Sequence, residues 1–343
     1  IEKIELSLSV FLIGFSIGQV FGGPISDKYG RKISSIFGLI GFAFFSFLII
    51  FSSTIYELWV FRFLEAFFGG IVVVNAAAGV RDRFHGSEAA KVFSLIGMVR
   101  SIAPLGAPAI GAFIIHFYSW KAIFIFLTIY ALIVAFLIYK DLEESFTYSK
   151  QNVIESFKTV LSHKTALKTM IVLGISFGGF FVIIAKTSFI YIEYFKIQTD
   201  YFPLFFGVNF IILMLMIKVN VNLLKVYHPS ELVRMAILIQ IISAGLLTLN
   251  YENISLVLTV ILIASYMSMM AFIFGNCMAL TLEHFPKNAG VASGVVGVVQ
   301  FGLGAFVSSI ALSYHDGTIF PIGISVCIIS CFAFLVIRSY KNV

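Results

Sequence analysis

The chain has 343 residues, of which 60% are apolar and only 12% are charged, and its formal net charge is +6. Soluble domains are about half apolar and roughly a quarter charged, so this composition excludes a water-soluble globular protein. Basic residues that flank membrane spans explain the positive charge better than binding to nucleic acid, and no nucleic-acid partner is expected.

Apolar runs of about 20 residues recur along the chain, and each is long enough to cross a ~30 Å hydrocarbon layer as an α-helix. The first run is too long for a signal-peptide core and has no small-residue cleavage site, so it is predicted to be a permanent span. The sequence therefore predicts an all-α, polytopic membrane protein embedded in a lipid bilayer. Its eleven predicted spans are residues 6–26, 33–53, 56–79, 92–116, 120–139, 168–192, 202–224, 231–249, 254–281, 289–313 and 317–337.

A polar interval at residues 140–167 separates five spans from six. We interpret it as a cytoplasmic linker, with a surface helix near residues 153–161, between an N-terminal helical bundle (1–139) and a C-terminal one (168–343). Paired bundles with a substrate site near the middle of the membrane are a common transporter plan. Because that plan has six spans in each bundle, the count of five and six suggests a missing first helix. A native eleven-span protein is the alternative.

Lysine and arginine are divided unequally between the two sets of alternate loops, with sixteen on one side and three on the other. Loops rich in basic residues remain in the cytoplasm. The basic side includes the linker and the C-terminus, which are both predicted to be cytoplasmic.

The first predicted cytoplasmic loop combines turn-forming and charged residues. Pro24 and Gly30 allow a tight reversal between two spans, and Asp27 can accept hydrogen bonds from amides at the start of the next helix. Arg31 offers its guanidinium fork to a facing carboxylate or to the carboxyl end of a helix. We expect this loop to form a charge latch that acts as a gate at the cytoplasmic mouth. Its sequence is Gly23-Pro-Ile-Ser-Asp27-Lys28-Tyr-Gly30-Arg31-Lys32.

Two charged residues lie deep in the third span. Arg62 is six residues into this span and Glu65 follows at i+3, so their side chains can share one helix face. Charges inside a membrane cost on the order of 2.5–3.5 kcal/mol and usually face a bundle interior or an aqueous cavity. We predict that the pair lies on the path of protons or substrate, with Glu65 as a proton-binding group. The alternative is a neutralised structural ion pair.

The fourth span contains Pro104 and Pro108, each of which removes a helix hydrogen bond. Gly106 and Gly111 permit close approach of another helix, and together the four residues predict a conformational gate. Arg100, one turn before Pro104, is a candidate to bind an anionic group of the substrate or to pair with an acidic residue.

Uncharged polar residues also lie inside the predicted spans. Most residues of this kind are hydrogen-bond partners between helices, but Gln19 and Asn75 are candidates for the substrate path. The other members of this set are Asn209, Gln240, Asn276 and Gln300.

These motifs resemble those of the major facilitator superfamily. The loop at residues 23–32 matches the family pattern Gly-x-x-x-Asp-(Arg/Lys)-x-Gly-Arg-(Arg/Lys) at every specified position. Arg62 matches the arginine of the family's fourth-helix motif Arg-x-x-Gln-Gly. In this chain Glu65 occupies the position of the motif's glutamine. The paired Ala-Pro form at residues 103–112 is similar to the antiporter motif of the bicyclomycin and chloramphenicol resistance (Bcr/CflA) subfamily. The remaining similar segments are Arg81-Asp82 and residues 275–293.

The resemblance implies a drug:proton antiporter of the inner membrane that exports small amphipathic compounds by alternating access. Its energy source would be the proton gradient, with no cofactor. The run at residues 6–26 corresponds to the family's second helix, so the first helix, which typically carries an acidic residue for proton coupling, is expected to be missing.

Two alternatives to drug efflux remain open at this stage. One is an exporter of a metabolite such as an amino acid or a sugar, and the other is a truncated membrane protein without transport activity. An enzyme is not expected, because the sequence has no ATP-binding loop, no zinc-ligand spacing and no nucleophile elbow.

Overall fold

The structure is a computed structural model that describes residues 2–144, 153–198, 201–314 and 317–340. The regular elements in these ranges are thirteen α-helices and one π-helical segment. The helices are α1 (Glu2–Tyr29), α2 (Arg31–Ile49), α3 (Ile55–Arg83), α4 (Gly86–Phe117), α5 (Lys121–Asp141), α6 (Val153–Ser162), α7 (Lys164–Ser188), α8 (Phe202–Leu223), α9 (Pro229–Leu249), α10 (Leu256–Ser268), α11 (Met270–Leu282), α12 (Ala289–Leu312) and α13 (Phe320–Arg338). The π-helical segment, Phe189–Tyr194, continues α7.

Nine helical segments within the described residues are long and apolar enough to cross a membrane. The other two predicted spans correspond to α1 and α4, which have 28 and 32 residues. The all-helical, polytopic fold predicted from the sequence is therefore confirmed. The short helix α6 lies where a surface helix is predicted within the linker.

One predicted span, residues 254–281, is not a single helix. It consists of α10 and α11, which meet at a break at Met269. The apolar pattern continues without interruption through this break, so hydropathy alone gave no signal for it.

The first compact unit comprises Ile1–Phe84, Gly106–Ser162 and Phe285–Val298. Within it α1 packs closely on α3, because Gly14, Gly18 and Gly22 face the backbone of α3 at Phe63, Phe67 and Ile71. Glycines at intervals of four leave a groove that lets two helix backbones approach. A second contact in this unit joins α2 and α5 through Leu39, Ala43, Ala131 and Ala135.

The second compact unit comprises His85–Leu105, His163–His284 and Val299–Val343. Gly174 and Gly178 of α7 lie against the backbone of α12 at Val299 and Gly304. A buried hydrogen bond of 2.6 Å between the Thr169 and Thr281 hydroxyls joins α7 to α11. The division into bundles at 1–139 and 168–343, joined by a linker at 140–167, stays a prediction.

Candidate transport site

The reversal between α1 and α2 takes place at a single residue. Gly30 adopts φ +94°, a conformation that favours glycine, and the next residue begins α2. Pro24 does not form part of this turn as the sequence suggested, because it lies inside α1, which continues to Tyr29. The last turn of α1 therefore carries Asp27 as a helical residue.

Arg31 lies at the centre of a buried group of polar side chains. Its Nε donates to Asp82 Oδ2 at 2.8 Å, and its Nη1 donates to Asp27 Oδ1 at 2.7 Å and to Ser26 Oγ at 2.6 Å. The predicted pairing of the Arg31 fork with a carboxylate is confirmed, and there are two carboxylates instead of one. Charge-assisted bonds of this kind are among the stronger hydrogen bonds in proteins.

Asp27 accepts hydrogen bonds from a helix start, but the helix is not the predicted one. Its carboxylate oxygens accept from the amides of Gly290 at 3.0 Å and Val291 at 2.9 Å, in the first turn of α12. The start of α2 is capped by Glu144, which accepts from the amides of Arg31 at 2.8 Å and Lys32 at 3.0 Å. Because Asp27 belongs to the last helical turn of α1, its side chain does not reach forward to α2.

We call Asp27, Arg31, Asp82 and the α12 amides the charge latch. Gly23 allows it to form, because a Cβ at this position would meet the backbone of Gly290 and Val291. The other two basic residues of the predicted gate lie outside these bonds. The Lys28 ammonium lies 5.0 Å from the ring centroid of Tyr29, and the Lys32 ammonium lies 5.4 Å from that of Tyr139.

The Arg62 and Glu65 side chains form the ion pair that their spacing predicts. Arg62 Nη1 lies 2.9 Å from Glu65 Oε2, and the Ser46 hydroxyl donates to Glu65 Oε1 at 2.6 Å. The Glu65 side chain is fully buried. The Arg62 guanidinium also lies 4.4 Å from the ring centroid of Phe11 and 5.7 Å from that of Phe124. Each partner thus has a second source of stabilisation besides the ion pair.

Gln19 and Asn75 are buried in the first compact unit. Gln19 Nε2 and both polar atoms of the Asn75 amide have no hydrogen-bond partner among the described residues. Gln19 approaches α12 closely, since a Cβ at Gly297 would collide with its Oε1. Their predicted place on a substrate path stays a prediction.

The proline motif of the fourth span falls within α4, which is helical from Gly86 to Phe117. The side chains of Arg100, Pro104 and Pro108, and likewise Gly106, lie outside the described part of the structure. Gly111 is described, and a Cβ at this position would meet nothing within 4 Å. The gating role of this motif stays a prediction.

A cavity of about 380 Å³ lies within the second compact unit. Pockets of this size accommodate small organic ligands. Six phenylalanines form most of its wall, together with apolar residues, one glycine, one serine and one glutamine. The lining residues are Ser94, Gly97, Phe177, Phe180, Phe181, Ile184, Phe206, Phe210, Leu213, Ile217, Met270, Ala271, Phe274 and Gln300.

Most of this wall was not identified from the sequence. The chain contains 39 phenylalanines, and an aromatic side chain on a membrane helix contacts lipid as readily as it lines a cavity. Gln300 was one of several polar residues in the spans, and it is the member of that set that lines the cavity. A helical spacing of phenylalanines at 177, 180 and 181 and at 206 and 210 was the available signal.

One edge of the cavity is fixed by a chain of buried polar side chains. Asn276 Nδ2 donates to Asn220 Oδ1 at 3.0 Å, and Asn220 Nδ2 donates to Ser94 Oγ at 2.8 Å. The Ser94 hydroxyl in turn donates to the carbonyl of Ala90 at 2.8 Å. These bonds connect α4, α8 and α11 beside the cavity.

Two histidines near the ends of α6 and α11 contact each other. The ring centroids of His163 and His284 lie 4.5 Å apart, and the rings are tilted by 32°. Burial and the neighbouring His163 ring lower the pKa of His284, although the Glu283 carboxylate opposes this shift. The lowered pKa favours a neutral His284, which can pack beside another histidine without repulsion.

A membrane-spanning helical bundle with a buried ion pair and an aromatic cavity defines a polytopic protein of the transporter class. The chain belongs to the Major Facilitator Superfamily, whose sequence profile matches residues 2–309. It is therefore a secondary transporter and not an enzyme.

Individual relatives agree with this assignment. The chain is 30% identical to the "Bicyclomycin resistance protein homolog" of Haemophilus influenzae, over 99% of this chain and 89% of that protein. It is 28% identical to the "Chloramphenicol resistance protein CraA" of Acinetobacter baumannii, over 59% of this chain and 51% of that protein. The proton:xylose symporter XylE, bound to 6-bromo-6-deoxy-D-glucose, has the same fold, with a TM-score of 0.78 and 15% identity over 99% of this chain and 86% of that structure.

Proposed function

We propose that this protein is a proton-coupled antiporter of the bicyclomycin and chloramphenicol resistance subfamily, which exports small amphipathic compounds across the bacterial inner membrane. The observation that supports the proposal most directly is the complete burial of the Glu65 carboxylate. Among the described acidic residues it is the one that is fully buried, and it lies ten residues, or about 15 Å, along α3 from Ile55. This depth is about half of the ~30 Å hydrocarbon layer.

Glu65 has the features of a group that binds and releases a proton. A buried carboxylate is costly unless it is paired, and here Arg62 and Ser46 stabilise its charged form. Proton binding would remove the attraction to Arg62 and change the packing of α3 against its neighbours. The protein with a proton on Glu65 would then differ in conformation from the protein without one. Coupling of proton binding to transport requires such a difference.

The charge latch supports alternating access. It joins the last turn of α1 to the first turn of α12, and these two helices belong to different bundles in the division predicted from the sequence. Alternating access in transporters of this plan moves one bundle against the other around a fixed site, so the latch would form in one state and break in another. We place the latch and the C-terminus on the cytoplasmic side because the basic loops lie there.

The experiment that tests this proposal measures drug accumulation in cells. A bacterial strain without its own efflux pumps should accumulate severalfold less radiolabelled chloramphenicol when it expresses this protein. A protonophore should remove the difference, because export then loses its energy source. The matched control is the Asp27→Asn variant at equal expression, which should lower accumulation much less than the unmodified protein.

Equal accumulation with and without the protein would contradict drug export. Lower accumulation that persists after addition of the protonophore would contradict proton coupling.

A further inference from the structure

The aromatic cavity has no charged residue among the lining residues that the structure describes. All fourteen of its lining residues are neutral at any physiological pH. We propose that it selects uncharged, flat aromatic compounds that carry one hydrogen-bonding group, and that Gln300 is the residue that recognises this group. This inference rests on the proposed function, since it names the class of compound that the transporter binds.

Five of the phenylalanine rings form two groups, one on α7 and one on α8. Phe177 of α7 lies 6.3 Å from Phe180 and 5.1 Å from Phe181 between ring centroids, and Phe206 of α8 lies 5.0 Å from Phe210. Aromatic rings favour offset stacking and edge-to-face contact with another ring. A flat aromatic guest can make both kinds of contact in this cavity, whereas a bulky aliphatic guest makes neither.

The neutral character of the described lining residues disfavours a cationic guest. A cation that leaves water for this cavity loses its hydration and meets no carboxylate among these residues in return. Phenylalanine faces attract cations, but this attraction is weaker than the hydration that an ion loses on burial. A neutral guest avoids this cost and retains the contacts with the rings.

Gln300 supplies the specific polar contact. Its side chain is only 3% exposed and lines the cavity. The other polar side chain of the wall, Ser94, is already used, because its hydroxyl donates to Ala90 and accepts from Asn220. A glutamine amide offers both a donor and an acceptor, so Gln300 can bond to the polar group of a guest.

Binding of a matched pair of probes to the purified protein in detergent tests this inference. Acridine is a neutral three-ring compound at pH above about 7 with one nitrogen acceptor, and 10-methylacridinium is its permanently charged counterpart. We expect acridine, followed by its fluorescence, to bind at least tenfold more tightly than 10-methylacridinium. The Gln300→Leu variant should weaken acridine binding about fivefold, as expected for one lost hydrogen bond.

Three further variants separate recognition from folding. Gln300→Glu introduces a carboxylate of nearly the same shape and should shift the preference toward 10-methylacridinium by tenfold or more. Phe206→Ala should weaken acridine binding, whereas Phe332→Ala, which removes a ring exposed on α13, should not.

Equal or tighter binding of 10-methylacridinium to the unmodified chain would overturn the inference, as would Gln300→Leu or Phe206→Ala variants that bind acridine normally. Binding requires neither a proton gradient nor flux. A chain that binds acridine as expected but shows no proton-driven transport would therefore contradict the proposed function alone, and a chain that transports but binds neither probe would contradict this inference alone.

Discussion

The Asp27→Asn variant is expected to transport about 5- to 150-fold more slowly than the unmodified protein. Asp27 contributes the charge that holds both Arg31 and the first amides of α12. Asparagine keeps one acceptor but loses the charge, and a coupling free energy between conformations of 1–3 kcal/mol corresponds to this range of effects. The rate of uptake into proteoliposomes measures the change.

The control for this prediction is Lys28→Gln in the same loop. Lys28 is exposed and lies outside the latch, so its replacement removes a charge of the loop without breaking any bond to Arg31 or α12. A normal rate for Asp27→Asn, or an equal loss for both variants, would contradict the role of the latch.

The Glu65→Gln variant is expected to lose proton-driven accumulation by at least about tenfold, because glutamine retains a partner for Ser46 but cannot exchange a proton. Exchange of labelled for unlabelled compound at equal pH should continue. The measurement compares accumulation with exchange in the same proteoliposomes. The control is Glu57→Gln, which keeps the exposed capping box of α3.

Stability gives an independent check on the same pair. Removing one partner of a buried ion pair costs about 3–5 kcal/mol, because the other charge remains buried alone. The Arg62→Gln/Glu65→Gln double variant should therefore be more stable to heat than Glu65→Gln.

A Glu65→Gln variant with unchanged pH dependence of transport would contradict proton binding at Glu65.

Local sequence patterns predicted the contacts that depend on local geometry. The i+3 spacing of Arg62 and Glu65 was enough to predict their ion pair, because an α-helix places such residues on one face. The apolar runs were enough to predict the helices. Both features depend on a few neighbouring residues, and sequence displays these directly.

Long-range partners could not be predicted in the same way. Asp27 and Glu144 both cap helix starts, but which start each one caps depends on the packing of α12 and on the course of the chain after α5. The cavity could not be predicted for the same reason, because it exists only where phenylalanines of α7, α8 and α11 come together. The composition of these helices is equally compatible with contact to lipid, and only tertiary structure distinguishes the two.

The measurement that tests the account most directly is uptake of radiolabelled chloramphenicol into proteoliposomes with an acidic lumen. This compound is neutral, so a pH gradient does not trap it passively. We predict that the purified protein concentrates it in the lumen above the outside level, and that the ionophore nigericin, which collapses the gradient, abolishes the accumulation. Equal luminal and outside concentrations in the presence of the gradient would contradict proton-coupled export.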